Sequence, residues 1–377
     1  MTRRIYLSAL AALVCAATPA LLAQQKPAAA ATTKKNPLLK LAEPWPEDDV
    51  IASRKTAATE RKLFADAAPV EFTLKTEFSL LNKERTPNNG KRFPAVITVD
   101  GKDIPVKVGS RGHLRLNSRT CEFVPIRLEF KKEDVAGTVF DGQENLKLGT
   151  HCQNEKESDQ FVIKEYLTYK LANIVTPFSF RARLAHGTYI DTKSNKTIAT
   201  HNALFLEHDN DVSHRLNGRD VSLPRIEFKD LEKDSTNTMF LLEYMLGNTD
   251  YSIYALHNVV IVQDKKRTLY PVAYDFDMSG MVHPPYAIPD PKLHLRAVTD
   301  RMYRGPCRTV EELDAAAAPF RDKKTEMIGA IDGMKDLDGR HKSEMKDYLD
   351  GFFRTIDKPD SIKKNFVNGC NPKNNTM

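Results

Sequence analysis

Residues 247–277, GNTDYSIYALHNVVIVQDKKRTLYPVAYDFD, carry the pattern on which the interpretation of this chain rests. An acidic motif stands at each end, and two apolar runs with the composition of strands, 257–262 and 268–274, lie between the motifs. A hairpin formed by these runs would end at Asp275, whose side chain would then face the same cleft as Asp250. The stretch therefore predicts a polar site on a rigid, buried scaffold.

The polar residues of this stretch suit a divalent metal and phosphate. Asn258 opens the first strand, and Asp275 and Asp277 follow the second. Magnesium is usually held by one or two carboxylates together with phosphate oxygens, and phosphoryl transfer needs a further carboxylate, here Asp250, to orient the acceptor hydroxyl. Each motif alone is commonly a turn or a strand end, so the prediction of a nucleotide and metal site rests on their joint order. A calcium loop is a lesser alternative, because the denser acidic series of such loops is missing.

Hydrophobic patterning divides the chain into a strand-rich first part and a helix-rich second part. We therefore expect an α+β chain of two lobes, 62–207 and 208–377, with the site in the cleft between them. The predicted elements are strands within 64–150, a helix at 158–175, strands at 178–189 and 198–207, and helices at 236–246, 309–332 and 338–367.

Several motifs resemble those of the CotH family of kinase-like proteins, named for a spore-coat protein. The resemblance spans roughly residues 90–285 and implies a two-lobed protein-kinase-like fold, with one long helix in a strand-rich N-lobe and a helix-rich C-lobe. It also implies an atypical protein kinase that transfers phosphate from ATP to protein hydroxyls. The similar segments are Gly109-Ser110-Arg111-Gly112-His113, Ile126-Arg127-Leu128-Glu129-Phe130, Tyr169-Lys170-Leu171-Ala172 and the two acidic motifs of residues 247–277.

The resemblance implies a role for each polar residue of the expected cleft. Magnesium or manganese would be the metal and ATP the phosphate donor, whereas neither the acceptor protein nor the oligomeric state follows from the sequence. The implied set is Asp250 as the catalytic carboxylate, Asn258, Asp275 and Asp277 as metal ligands, Arg111 and Arg127 as phosphate contacts, and Glu165 of the long helix as the partner of Arg127.

A second hypothesis is a catalytically silent kinase-like domain that acts as a binding or scaffold protein. The chain contains no Gly-x-Gly-x-x-Gly loop, which favours this alternative. The joint presence of Asp250, Asn258 and Asp275 favours the enzyme, and a different phosphate donor or metal is a third option.

The N-terminal residues have the composition of an export signal. Arg3 and Arg4 precede an apolar stretch that ends near Ala23, so we expect residues 1–23 to be a signal peptide and 24–61 a flexible linker. The paired arginines also fit twin-arginine export, although an ordinary secretory signal is the preferred interpretation. No other stretch is apolar for long enough to span a bilayer, so we expect an exported protein, periplasmic or extracellular, without a membrane span after cleavage.

Cysteine and charge content refine this expectation. Four cysteines follow the signal peptide, and an even number in an exported protein favours disulfides. Among three possible connectivities we predict Cys121–Cys152 and Cys307–Cys370, one in each lobe. The net charge of +6 is modest for 377 residues, and no basic patch suggests a nucleic-acid partner. His151, His201, His208 and His283 are scattered along the chain, and we interpret them as core or surface residues rather than metal ligands.

Overall fold

The computed structural model describes residues 41–86, 90–223 and 225–370. The predicted signal peptide and the first part of the predicted linker lie outside these residues. The described part of the chain mixes strands and helices, in agreement with the α+β prediction, and its second half is largely helical as expected.

The first half of the chain forms a closed barrel of seven strands in the order β1-β2-β3-β4-β5-β7-β6. Neighbouring strands are antiparallel except for β1 and β6, which pair in parallel and close the barrel. The strands are β1 (Val70–Thr76), β2 (Phe93–Val99), β3 (Lys102–Ser110), β4 (Ile126–Glu129), β5 (Asn145–Gly149), β6 (Ala182–Asp191) and β7 (Lys196–Leu206).

Barrel closure corrects the expectation of a kinase-like N-lobe. Alternating apolar residues predict most of these strands and the face that each one buries, but they carry no information about which edge strands meet. Val70 of β1 lies opposite Ala185 of β6, a pairing between residues 115 positions apart in the chain. The two-lobed kinase-like prediction is therefore correct only at the coarser level of a mixed α and β chain.

Helices and a small second sheet make up the remainder of the described residues. In this sheet the strand order is β10-β9-β8. The strands are β8 (Gly218–Asp220), β9 (Val259–Asp264) and β10 (Leu269–Ala273); the helices are α1 (Asp48–Thr59), α2 (Phe78–Lys83), α3 (Lys132–Val135), α4 (Glu157–Val175), α5 (Asp209–Arg215), α6 (Lys233–Leu246), α7 (Val310–Asp322), α8 (Lys324–Asp332), α9 (Gly339–Ile356) and α10 (Pro359–Ile362).

Helix α1 lies within the segment predicted as a flexible linker, so the linker does not extend over these residues. Residues 48–59 contain neither glycine nor proline, which permits a helix despite the polar composition. Just after α1, Arg61 donates two hydrogen bonds of 2.9 Å to the carboxylate of Asp211 on α5. This bidentate contact fastens the segment to the rest of the chain.

Helix α4 and the hairpin β9–β10 form where the sequence predicts them, and they position the polar residues. Helix α4 packs against strands of the barrel and against α8 and α9 of the helical part. In the hairpin, β9 and β10 are antiparallel, and the backbone N–H of Tyr274 donates to the carbonyl of Asn258. This bond sets Asn258 beside the start of the second acidic motif.

The predicted disulfide pairs are both present. The Cα atoms of Cys121 and Cys152 are 4.6 Å apart, and those of Cys307 and Cys370 are 5.4 Å apart. Both distances lie in the range of disulfide-bonded cysteines. Among the described residues, the helices are too short or too polar to cross a bilayer.

Candidate functional site

A cleft of about 550 Å³ gathers most of the polar residues that the sequence singles out. Its Arg and Lys side chains come from the barrel strands and the loop after β3, and its acidic side chains come from the loops around the hairpin β9–β10 and, in Asp209, from the start of α5. Of the predicted residues, those that line it are Arg111, Arg127, Asp250, Asn258, Asp275 and Asp277. Glu165 lies behind this cleft, buried on α4.

The loop after α6 presents Asp250. Helix α6 ends at Leu246 and is capped by Gly247, whose φ of 64° lies in the left-handed region that favours glycine. Beyond this cap, the side chain of Asn248 accepts a hydrogen bond of 3.1 Å from the backbone N–H of Asp250. The Asp250 side chain is 44 % exposed, so its carboxylate is held by its backbone yet open to the cleft.

Asp250 contacts two neighbours that follow it in the chain. Its Oδ1 lies 3.0 Å from Nε2 of His257, and this hydrogen bond is the main cause of the raised pKa of His257. The side-chain amide of Asn258 donates to the backbone carbonyl of Asp250 at 2.7 Å and to its Oδ2 at 3.2 Å. Since Nδ2 of Asn258 donates to Asp250, the amide oxygen is the end of this side chain that can bind a metal ion.

Arg304 also holds the loop that carries Asp250, through hydrogen bonds to its backbone. Its Nη1 donates to the carbonyls of Thr249 and Tyr251, the residues on either side of Asp250, at 2.5 and 2.9 Å. The guanidinium also stacks over the Tyr251 ring, 4.9 Å from its centroid. The backbone of Asp250 is therefore held at both of its neighbours.

Asp275 adopts a backbone conformation that is uncommon for a residue with a side chain. Its φ is 64°, and Asn258, across the hairpin, has a φ of 55°. The backbone N–H of Asp275 donates to the hydroxyl of Tyr169, a fully buried residue of α4, at 2.9 Å. Oδ2 of Asp275 lies 3.9 Å from Nη2 of Arg111. Strained backbone at a polar cleft is typical of functional sites.

Asp277 belongs to a buried acid cluster with Glu165. Burial raises the pKa of Asp277 to about 7, Asp275 adds to the rise, and Arg115 and the hydroxyl of Tyr286 oppose it. The hydroxyl of Tyr286 donates to Oδ2 of Asp277 at 3.1 Å, and Nη1 of Arg115 lies 4.0 Å from the same atom. Burial, followed by Asp277 and Asp275, also raises the pKa of Glu165.

Glu165 and Arg127, which the resemblance pairs with each other, have other partners in the structure. Arg127 and Glu129 are two residues apart on β4 and therefore lie on the same face of the strand. Nε of Arg127 is 3.7 Å from Oε1 of Glu129. The cations that act on Glu165 are instead Arg115 and Arg111. The partner of Arg127 is set by the strand, which places residues 127 and 129 on the same face.

Two cations of the cleft are absent from the predicted set. Arg115 donates through Nη2 to the carbonyls of Thr150 and His151, at 2.5 and 3.0 Å. These bonds hold its guanidinium beside the acid cluster, with Nη1 4.0 Å from Asp277. Lys147 lies opposite Arg127 in the β4–β5 register, and its Nζ is 2.9 Å from Asp209 and 4.1 Å from the centroid of the Tyr274 ring. The alternation in Asn145-Leu146-Lys147-Leu148 is the sequence signal that would have revealed the strand β5 and this lysine.

The four scattered histidines lie in different places. His151 and His201 are buried and stack with ring centroids 4.0 Å apart, whereas His283 is exposed. His208 lines the cleft next to Asp209, and burial lowers its pKa. Within residues 41–86, 90–223 and 225–370, His, Cys, Asp and Glu side chains form no group of three or more that could hold a metal ion.

The donor chemistry of the cleft fits a magnesium-type ion that also binds phosphate. Asp275, Asp277 and the amide oxygen of Asn258 supply the oxygen donors that magnesium and manganese accept, and phosphate oxygens and water commonly complete such sites. Opposite them, Arg111, Arg127 and Lys147 supply positive charge for an anion. A cleft with both features can hold a metal-bound polyphosphate.

Comparisons with known proteins give a distant structural similarity. No protein-family model matches the chain, and no curated protein matches it. A solved structure, the Helicobacter pylori proinflammatory kinase CtkA, is similar with 12 % sequence identity and a TM-score of 0.36, over 64 % of this chain and 90 % of that chain. The similarity to the CotH family remains a resemblance of motifs.

Proposed function

We propose that this protein is an exported atypical protein kinase that uses the cleft to transfer phosphate from ATP to a protein hydroxyl. The observation that carries the proposal is the opposition, within one cleft of about 550 Å³, of Asp250, Asp275 and Asp277 to Arg111 and Lys147. Such an arrangement matches a substrate that brings negative phosphates together with a positive metal.

Arg111, Arg127 and Lys147 form the basic wall of the cleft, which would bind and orient the phosphates. Arg127 lies on β4, and Arg111 directly follows β3, where its backbone N–H donates to the carbonyl of Pro125. These backbone hydrogen bonds limit the movement of both residues. Lys147 adds a third positive charge beside Arg127. Positioning of this kind lowers the barrier to phosphoryl transfer because the protein has little covalent chemistry to perform.

Asp250, Asn258, Asp275 and Asp277 form the acidic wall of the cleft, which would have two roles. Asp275, Asp277 and Asn258 would hold a divalent ion, which would neutralise charge on the phosphates. Asp250 orients the acceptor hydroxyl and takes its proton as the hydroxyl oxygen bonds to the terminal phosphorus and the bond from that phosphorus to the bridging oxygen breaks. The 44 % exposure of the Asp250 side chain leaves it accessible to a protein acceptor.

The export part of the proposal rests on the N-terminal sequence and the cysteines. Residues 1–23 have the composition of a signal peptide, and the disulfides Cys121–Cys152 and Cys307–Cys370 suit an oxidising compartment.

A silent domain of the same fold is the second candidate, and two contacts favour it. Arg111 lies 3.9 Å from Asp275, and Lys147 lies 2.9 Å from Asp209, so part of the charge in the cleft is already compensated within the protein. A ligand must displace these contacts before it can bind.

Thermal unfolding with added ligands separates the two candidates. Manganese and ATP together should raise the melting temperature of the protein more than either does alone, because the acidic and basic walls bind one joint ligand. Asp275→Asn should lose this joint shift, whereas the control Asp100→Asn, in the exposed β2–β3 turn, should keep it. An unchanged joint shift in Asp275→Asn would exclude the metal role of Asp275, and no shift in the wild type would favour the silent domain.

A further inference from the structure

Glu243 is a buried carboxyl group to which the cleft chemistry assigns no task. It lies on α6, four residues before the Gly247 cap, and is fully buried. Neither of its Oε atoms makes a hydrogen bond with the described residues, and neither does Nδ2 of the buried Asn248. Buried polar groups without partners are rare, so two complementary ones side by side require an explanation.

Asn248 joins Glu243 to the loop that carries Asp250. The backbone N–H of Asn248 donates to the carbonyl of Glu243 at 2.9 Å, and Oδ1 of Asn248 accepts from the backbone N–H of Asp250 at 3.1 Å. The amide of Asn248 is close enough to lower the pKa of Glu243, although the geometry falls short of a good hydrogen bond. The side chain of Asn248 therefore lies next to Glu243 and at the same time accepts a hydrogen bond from the backbone of Asp250.

The surroundings of Glu243 favour its neutral form. Burial raises the pKa of Glu243 to about 8, Asp250 acts in the same direction, and Asn248 and Arg304 oppose the rise. Arg304 directs its hydrogen bonds at the carbonyls on either side of Asp250, and in the described part of the chain both Oε atoms of Glu243 lack a hydrogen-bond partner. At neutral pH the carboxyl group is therefore a neutral acid, which can both donate and accept a hydrogen bond.

We propose that Glu243 is a positioning residue for the loop of Asp250, and that it acts through Asn248 as a neutral acid. Loss of its proton places a buried negative charge next to the loop that carries Asp250, and the loop must open for water to reach that charge. The inference rests on the proposed function only for the catalytic role of Asp250. The positioning of the loop is independent of that role.

Two buried glutamates allow a matched comparison. Glu243→Gln preserves the shape of the side chain and removes its titration. Glu207→Gln is the control, because Glu207 is equally buried but accepts hydrogen bonds from Arg181 and Arg215. Glu207→Gln should lower the melting temperature at each pH, since it removes one partner of buried charged pairs.

Amide hydrogen exchange and thermal unfolding of the wild type and both variants, at pH 6, 7 and 8, test the proposal. Relative to Glu243→Gln, the opening equilibrium of residues 247–258 in the wild type should rise by up to about tenfold per pH unit, because the open loop releases one proton. Glu243→Gln should also melt at a higher temperature than the wild type at pH 8. A lower melting temperature, or a pH-independent exchange ratio between the two proteins, overturns the proposal.

A kinetic comparison separates positioning from general stability. Above pH 8, kcat for phosphate transfer should fall in the wild type and hold in Glu243→Gln, with the KM for ATP unchanged in both. A fall of the same size in both proteins contradicts the positioning role. If the wild type transfers no phosphate at any pH, the proposed kinase activity fails, whereas the exchange data still decide the role of Glu243.

Discussion

Metal binding at the cleft should depend on pH in a direction that Asp277 determines. Burial and the neighbouring Asp275 raise the pKa of Asp277 to about 7, so this group holds a proton at pH 6 and has lost it at pH 8. A divalent ion requires the deprotonated carboxylate, and metal binding therefore competes with the proton. Affinity for manganese should increase as the pH rises through 7.

The size of this effect follows from the titration of one group. With a pKa of about 7, roughly a tenth of the Asp277 carboxyls are ionised at pH 6 and roughly nine tenths at pH 8. The dissociation constant for manganese should therefore be about tenfold higher at pH 6 than at pH 8. The assay is a manganese titration by calorimetry or electron paramagnetic resonance at pH 6, 7 and 8.

Two variants identify the group responsible. Asp277→Asn should bind manganese more weakly and lose the pH dependence. Glu165→Gln removes the other buried acid of the cluster and should retain the pH dependence if Asp277 carries it. Equal wild-type affinity at pH 6 and 8, or tighter binding at pH 6, would refute the assignment of Asp277 as a ligand.

Two further predictions concern the supports of the cleft. Tyr169→Phe leaves the backbone N–H of Asp275 without its acceptor and should lower the free energy of unfolding by about 1–3 kcal/mol; urea denaturation measures this, and an unchanged midpoint would show that the bond contributes nothing. The double variant Cys121→Ser and Cys152→Ser opens a loop with a sequence separation of 31 and should cost about 3–4 kcal/mol by loss of chain constraint. Because Arg115 donates to the carbonyls of Thr150 and His151 near this disulfide, the double variant should also weaken manganese binding, and unaltered binding would separate the disulfide from the site.

Local sequence patterns predicted the elements that form the cleft. The order of polar and apolar residues in 247–277 was sufficient to predict the hairpin β9–β10, because strand alternation and turn residues are local signals. The α4 helix and both disulfide pairs also formed as predicted. The metal, nucleotide and catalytic roles of the cleft residues remain predictions.

Features that depend on distant parts of the chain were not predicted. The parallel pairing of β1 with β6 closes the barrel, and no local pattern encodes it. The same long-range packing brings Arg115 and Lys147 to the cleft and directs Glu165 toward Arg115 rather than Arg127. Helix α1 was missed for another reason: its composition is that of a linker, and it is stabilised by contacts with α5.

Phosphate transfer from labelled ATP is the most direct test of the central claim. The purified protein is incubated with manganese or magnesium and a generic protein acceptor, beside Asp250→Asn, Asp275→Asn and the exposed-turn control Asp100→Asn. We expect label on the acceptor or on the protein itself with the wild type and the control, and none with the two cleft variants. Transfer that survives in both cleft variants, or no transfer by the wild type together with no joint thermal shift from manganese and ATP, would contradict the proposed kinase activity.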